Sequence, residues 1–248
     1  MSEKRIETKC VQGGYTPGNG EPRQIPIIQS TTYKYNTSED MGKLFDLEAE
    51  GYFYTRLQNP TNDMVAKKIC ELEGGSAAML TSSGQAASFY AVFNIANCGD
   101  HVVASSMIYG GTYNLFAVTM KKMGIDFTFV EPDCADEELE AAFKPNTKLV
   151  FGETIANPAL TVFDIERFAN AAHAHGVPLI VDNTFATPIN CRPFEWGRPR
   201  FKDRADHPPP HPCRYRHSFN DKVYGRPRRR RRRLYSRFGQ IRLDGSCR

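Results

Sequence analysis

Residues 165–184 read IERFANAAHAHGVPLIVDNT. Phe168, Ala171, Ala172 and His175 recur at helical spacing, which predicts a helix over 165–175. Pro178–Val181 is an apolar run of strand length, and the polar trio Asp182-Asn183-Thr184 closes it. A helix followed at once by a wholly apolar strand is half a unit of a parallel sheet. Only strands covered on both faces lose the alternation of apolar and polar residues.

The same unit recurs toward the amino terminus. Strand-length apolar stretches lie at Ala77–Leu80, His101–Ala104, Phe127–Val130 and Lys148–Phe151. Helical spacing fills the gaps at Asn62–Leu72 (Val65, Ile69 and Leu72 share a face), Gly84–Ala96, Thr112–Met123 and Cys134–Phe143. The expected fold class is α/β, a mainly parallel sheet flanked by helices, over residues 61–197. Residues 1–60 break the pattern. Gly13-Gly14, Pro17, Gly18, Gly20, Pro22 and Pro26 read as an extended N-terminal arm, of the kind that wraps a neighbouring subunit.

The chain has 248 residues, 40% hydrophobic and 24% charged. That supports a sizeable core and excludes a wholly disordered chain. No apolar run approaches the ~20 residues that cross a membrane. The start, MSEKRIETKC, lacks the apolar stretch of a secretory signal. Seven scattered cysteines without CxxC spacing point to reduced thiols in a cytoplasmic protein, and to no metal site. The net charge of +4 joins two unlike pieces. Residues 1–197 hold 15 Lys and Arg against 24 Asp and Glu, a net −9. Residues 198–248 hold 17 against 4, a net +13, with an unbroken run from Arg228 to Arg233. Few aliphatic residues interrupt this tail, so it buries too little apolar surface to offset the entropy of ordering. It is expected to be disordered.

In parallel α/β sheets, ligands bind beyond the carboxyl ends of the strands. Four such ends carry polar groups here. Ser82-Ser83-Gly84-Gln85 sits where a strand turns into a helix, and is a phosphate cradle or an ordinary cap with Ser83. Asp182-Asn183-Thr184 offers a carboxylate, either a turn cap or a partner for a buried cation. Tyr109-Gly110-Gly111-Thr112 offers an aromatic ring that stacks on a flat ligand or packs. Asn157-Pro158 is a turn or a polar contact. Each signal is weak singly; four at successive strand ends are not.

These stretches resemble the transsulfuration, or Cys/Met metabolism, family of pyridoxal-phosphate (PLP) enzymes. The likeness rests on Gln29–Tyr33, Tyr54-Thr55-Arg56 with Asn59-Pro60-Thr61, Ser82–Ala86, Tyr109–Thr112, Glu153–Pro158 and Val181–Pro188. Their order and spacing match over roughly 1–197, most like the O-acetylhomoserine sulfhydrylase branch. The resemblance implies a PLP-dependent transferase type I fold, an amino-acid substrate and a homo-oligomer. It implies γ-replacement of acetate on O-acetylhomoserine by sulfide or a thiol, with cystathionine γ-synthase or γ-lyase chemistry as the alternative. By the same resemblance, Ser83, Gly84 and Gln85 hold the cofactor phosphate, and Tyr109 is catalytic, stacking on the ring and assisting proton transfer or leaving-group departure. Asp182, also catalytic, pairs with the ring nitrogen and keeps it protonated; Thr184 binds the cofactor as well, and Asn157 lies near the ring oxygen. Tyr54 and Arg56 reach a neighbouring subunit's phosphate.

The family also uses a lysine that binds the cofactor covalently. It lies shortly after a stretch like Pro193–Gly197, within a run like ADIVTHSTTKYMDG. Here the chain continues RPRFKDRADHPPPHP. Synonymous codons for Cys213–Pro227, read one nucleotide later, spell that run, lysine included. Residues 213–248 are therefore read as an out-of-frame translation, and the chain as an inactive, incomplete large domain. Lys222 overlaps the shifted lysine codon but lacks its hydroxyl-rich neighbours, so it is a poor surrogate. The basic tail has no base-reading motif, so no specific nucleic-acid partner is expected. His207, His211, Cys213 and His217 do not form a helical metal set, because Pro208–Pro210 intervene. Sequencing the coding DNA from Cys191 to Arg248 is expected to reveal the shifted frame continuing; its absence disproves the reading.

Overall fold

The computed structural model describes residues 4–196 and the backbone of Ser218–Phe219. The rest of the basic tail, Lys222 and the Cys/His group lie outside the described residues. The chain divides into two compact units between Leu72 and Glu73.

In the first unit the Gly/Pro-rich arm is not uniformly extended. It contains helices α1 (Ile6–Gln12) and α2 (Ser38–Phe45). The Thr37 hydroxyl accepts the Asp40 N–H at 3.1 Å and satisfies one orphan donor of α2. α3 spans Pro60–Glu73, with the proline in the first turn, where its missing N–H costs nothing. Elsewhere the arm has little secondary structure to pair its backbone, and two side chains at the start of α3 do so instead. Buried Asn59 donates through Nδ2 to the Ile28 carbonyl at 3.0 Å, while its Oδ1 accepts from the Thr61 N–H at 2.9 Å. The Thr61 hydroxyl donates to the Pro26 carbonyl at 3.1 Å and accepts from the Ile28 N–H at 2.9 Å.

The second unit is the sheet. Its strands are β1 (His101–Ser105), β2 (Asp126–Val130), β3 (Thr147–Glu153), β4 (Leu179–Asp182) and β5 (Ser218–Phe219). They are ordered β2-β1-β3-β4-β5 and every pair is parallel. The strand period of two sorts neighbouring residues into two cores. Val102, Ala104, Leu149, Phe151 and Ile180 face α4 (Gly84–Phe93) and the segment after β1. That segment is α5 (Gly110–Asn114) running into a π-helical turn, Leu115–Met120. Val103, Val150, Leu179 and Val181 pack on the other side with α6 (Asp136–Ala141) and α7 (Ile165–Ala174). Two short helices, α8 (Thr187–Asn190) and α9 (Pro193–Trp196), follow β4. Burial on both faces explains why these strands read as continuous apolar runs. Gly152 in β3 is required by close packing: a Cβ there would lie 2.3 Å from the Phe163 ring.

Four predicted strands form where expected. Ala77–Leu80 does not, and shows only a single bridge residue at Leu80. Apolar composition is not enough for a strand, which needs a neighbouring ladder.

One buried polar group stitches three strands. His101 at the start of β1 bonds Thr147 of β3 through Nδ1 and Thr128 of β2 through Nε2, both at 2.8 Å. Burial, then Lys144, pulls its pKa below the usual 6.5. The folded state therefore holds neutral His101, and the stability this gives is present above pH 6.5 and lost as the pH falls below it. The thermal midpoint is expected to fall in that acid window, and His101→Gln to flatten the fall. Asn59→Leu, which leaves the Ile28 carbonyl and Thr61 N–H unpaired, is expected to cost about 1–3 kcal/mol. Hydrogen exchange over residues 26–33 should accelerate in that variant.

Candidate functional site

All described strands run the same way, so their carboxyl ends form one edge. Ser105, Glu153 and Asp182 end β1, β3 and β4 there. The chain leaves β1 toward β2 on one side and reaches β3 on the other. β1 and β3 thus flank a topological switch point, where such sheets open a crevice.

Four elements deliver side chains to this edge. Ser83 is the extended N-cap of α4, its hydroxyl accepting the Ala86 N–H at 3.0 Å. The hydroxyl is thus a cap, as its sequence position allowed. The first turn of α4 holds no acidic residue, so the positive end of its dipole can receive an external anion. Gln85 does not extend its side chain toward solvent. Its Nε2 donates to the Gly111 carbonyl at 3.0 Å and ties α4 to the segment after β1.

Tyr109 caps α5 and is 48% exposed. Its ring lies over Gly111, where an added Cβ would come within 2.5 Å of the ring. Asp182 is half-buried. One of its oxygens accepts from the Thr184 N–H at 3.0 Å and the Thr184 hydroxyl at 2.5 Å. The carboxylate is thereby aimed, and Thr184 takes its place as the residue that aims it. Asn157 is half-buried in the tight loop beyond β3, which the Ile155–Val162 bridge and the Ala156 N–H to Thr161 carbonyl bond close. Tyr54 and Arg56 belong to the first unit, with the Arg56 guanidinium 5.2 Å from the centre of the Tyr54 ring.

Glu153 was not singled out as a site residue by sequence reasoning. It ends β3 at 3% exposure, in register with Asp182 on the neighbouring strand. Its Oε2 accepts the Tyr109 N–H at 2.5 Å. Burial first, and the Asp182 charge second, push its carboxyl up to about 8. The visible signal was a lone acid closing the run Leu149-Val150-Phe151-Gly152.

The described lysines of the second unit stand elsewhere. Lys121 and Lys122 precede β2, and Lys144 and Lys148 flank the start of β3. Lys148 lies 3.8 Å from Asp100, just before β1. All four are at the amino edge. Among the described residues of this unit, none stands at the carboxyl edge.

Residues 7–198 match the sequence profile described as Cys/Met metabolism PLP-dependent enzyme. The chain belongs to this family. It is 45% identical over 193 residues to an O-acetyl-L-homoserine sulfhydrylase of Corynebacterium glutamicum, covering 77% of this chain and 44% of that one. A homocysteine/cysteine synthase of Kluyveromyces lactis is 46% identical over 177 residues, 71% of this chain and 40% of that one. A solved O-acetylhomoserine (thiol)-lyase structure from Campylobacter jejuni superposes with a TM-score of 0.75 at 36% identity, over 79% of this chain and 48% of that one. That structure carries N'-pyridoxyl-lysine-5'-monophosphate. A cystathionine gamma-lyase from Lactobacillus plantarum gives 0.70 at 33% identity, over 78% and 48%. The chain spans less than half the length of these relatives. The α/β fold is thus that of PLP-dependent enzymes, and the family's cofactor is PLP.

Glu153 gives this edge a pH signature. The folded state retains a proton that the unfolded chain releases above 4.5. The associated stability is full below that value and lost as the pH rises to about 8. The melting temperature of the unmodified chain is expected to drop relative to Glu153→Gln across that range.

Proposed function

We propose that the carboxyl edge of this sheet is the cofactor face of a PLP-dependent enzyme that replaces acetate on O-acetylhomoserine by sulfide or a thiol. One observation carries the reading. The start of α4, the half-exposed Tyr109 ring and the aimed carboxylate of Asp182 converge at one end of the sheet. An anionic phosphate, a flat ring and a protonated ring nitrogen ask for these three groups. The family match and the O-acetyl-L-homoserine sulfhydrylase relatives support the substrate class.

In this reading the first turn of α4, through Ser83, Gly84 and Gln85, takes the phosphate with backbone N–H groups and the helix dipole. Tyr109 covers one face of the ring and excludes water from it. Asp182, aimed by Thr184, holds a proton on the ring nitrogen. Asn157 offers its amide to the ring's oxygen. Tyr54 and Arg56 serve the phosphate of a neighbouring subunit, Arg56 with its planar fork. When bound, the cofactor withdraws electrons from the carbon bearing the substrate amino group.

The lysines among the described residues of the second unit favour reversible binding there. Lys121, Lys122, Lys144 and Lys148 stand at the far edge, so no described residue of the second unit is placed to bond the cofactor or shuttle protons. The 248-residue chain, titrated with PLP and with pyridoxamine 5'-phosphate, is expected to bind both. Asp182→Ala should weaken both by about tenfold, the value of one charge-assisted contact. Borohydride treatment followed by peptide mass analysis should leave those four lysines unmodified, and homocysteine should not form from O-acetylhomoserine and sulfide. A folded chain that takes up neither ligand overturns the reading.

A further inference from the structure

We propose that Glu153 is a positioning residue: through the Tyr109 backbone it sets where that ring stands beside Asp182. The inference rests on the cofactor-binding reading above and explains how its stacking wall is held.

A half-exposed ring gains little fixed position from packing, so its backbone must supply it. The Tyr109 carbonyl is held locally, accepting the Thr112 and Tyr113 N–H groups at 2.8 and 2.9 Å. Those bonds fix the turn but not its place on the sheet. Two longer contacts do. Gln85 holds the Gly111 carbonyl under the ring, and Glu153 holds the Tyr109 N–H at 2.5 Å across 44 residues of chain. Only Glu153 also sits in register with Asp182. One β3 side chain therefore links the aromatic wall to the strand that carries the acid. Glu153 is itself buried, so it acts on a ligand through Tyr109. A carboxyl held neutral beside Asp182 also leaves a single negative charge at this point of the edge. An amide oxygen would accept the same N–H, whereas an aliphatic side chain would leave it unpaired.

The test uses the full chain with Glu153→Gln and Glu153→Val. The first readout is amide hydrogen exchange over residues 107–113 without ligand. The second is affinity for pyridoxamine 5'-phosphate, which needs no lysine, together with the circular dichroism induced in its bound absorption band. Glu153→Val is expected to speed exchange at Tyr109, weaken binding about tenfold and abolish the induced signal. Glu153→Gln should restore all three. Should Glu153→Val fail to fold, Gly111→Ala displaces the ring and leaves Glu153 in place. It should lose affinity and induced signal while exchange at Tyr109 stays slow. The proposal is overturned if Glu153→Val leaves exchange and affinity unchanged, if Glu153→Gln is as impaired as Glu153→Val, or if Gly111→Ala binds normally. If the unmodified chain takes up no pyridoxamine 5'-phosphate, the cofactor reading fails, and exchange decides the Tyr109 anchor separately.

Discussion

A parallel sheet buried on both faces can carry polar chemistry only where its strands end. Within β1, β3 and β4 the period-two alternation feeds two apolar cores, and an uncompensated polar side chain inside either would carry a desolvation penalty. His101 shows the condition for an exception: it sits at the start of β1 with both ring nitrogens hydrogen-bonded. Among the described residues, the acids Glu153 and Asp182 are thereby displaced to a strand end. The crossover rule then puts all strand starts on one side and all strand ends on the other. Glu153, Asp182 and the turn after β1 share the carboxyl edge, while the described lysines of this unit, Lys121, Lys122, Lys144 and Lys148, share the amino edge.

Once polar groups are concentrated at one edge, they must be kept from opposing each other. Glu153 and Asp182 end adjacent, in-register strands. Two carboxylates so placed do not both ionise cheaply, and burial decides between them. Glu153, the more buried, is pushed to about 8, while Asp182 is half-exposed and held by two donors from Thr184. The more buried acid is thus held toward its neutral, hydrogen-bonding form. Glu153 faces inward to the Tyr109 N–H, while Asp182 is aimed by a turn.

The first unit follows a different logic. Its Gly- and Pro-rich arm has few regular backbone pairs, so Asn59 and Thr61 pair the backbone around Pro26 and Ile28. The Asn59-Pro60-Thr61 motif is legible in the sequence as a family signature. Its physical work as a clasp is not, because it joins residues about thirty positions apart through side chains of ordinary polar type.

Periodicity and the polar residues that interrupt it were readable directly from the chain. They located β1 to β4, helices α3, α4 and α7, the two-sided burial, and the strand ends at Tyr109, Asn157 and Asp182, because these depend on local spacing alone. The family followed from the order of those interruptions. Ala77–Leu80 forms no strand among the described residues, because a strand is defined by its neighbour, which composition does not reveal. The role of Gln85 as a tie to Gly111, the union of Glu153 with the Tyr109 N–H, and the placing of Lys121, Lys122, Lys144 and Lys148 opposite the carboxyl edge were decided by tertiary structure. Each depends on which strands lie side by side. That order is set by how the two cores close around the sheet, and no local pattern of residues encodes it.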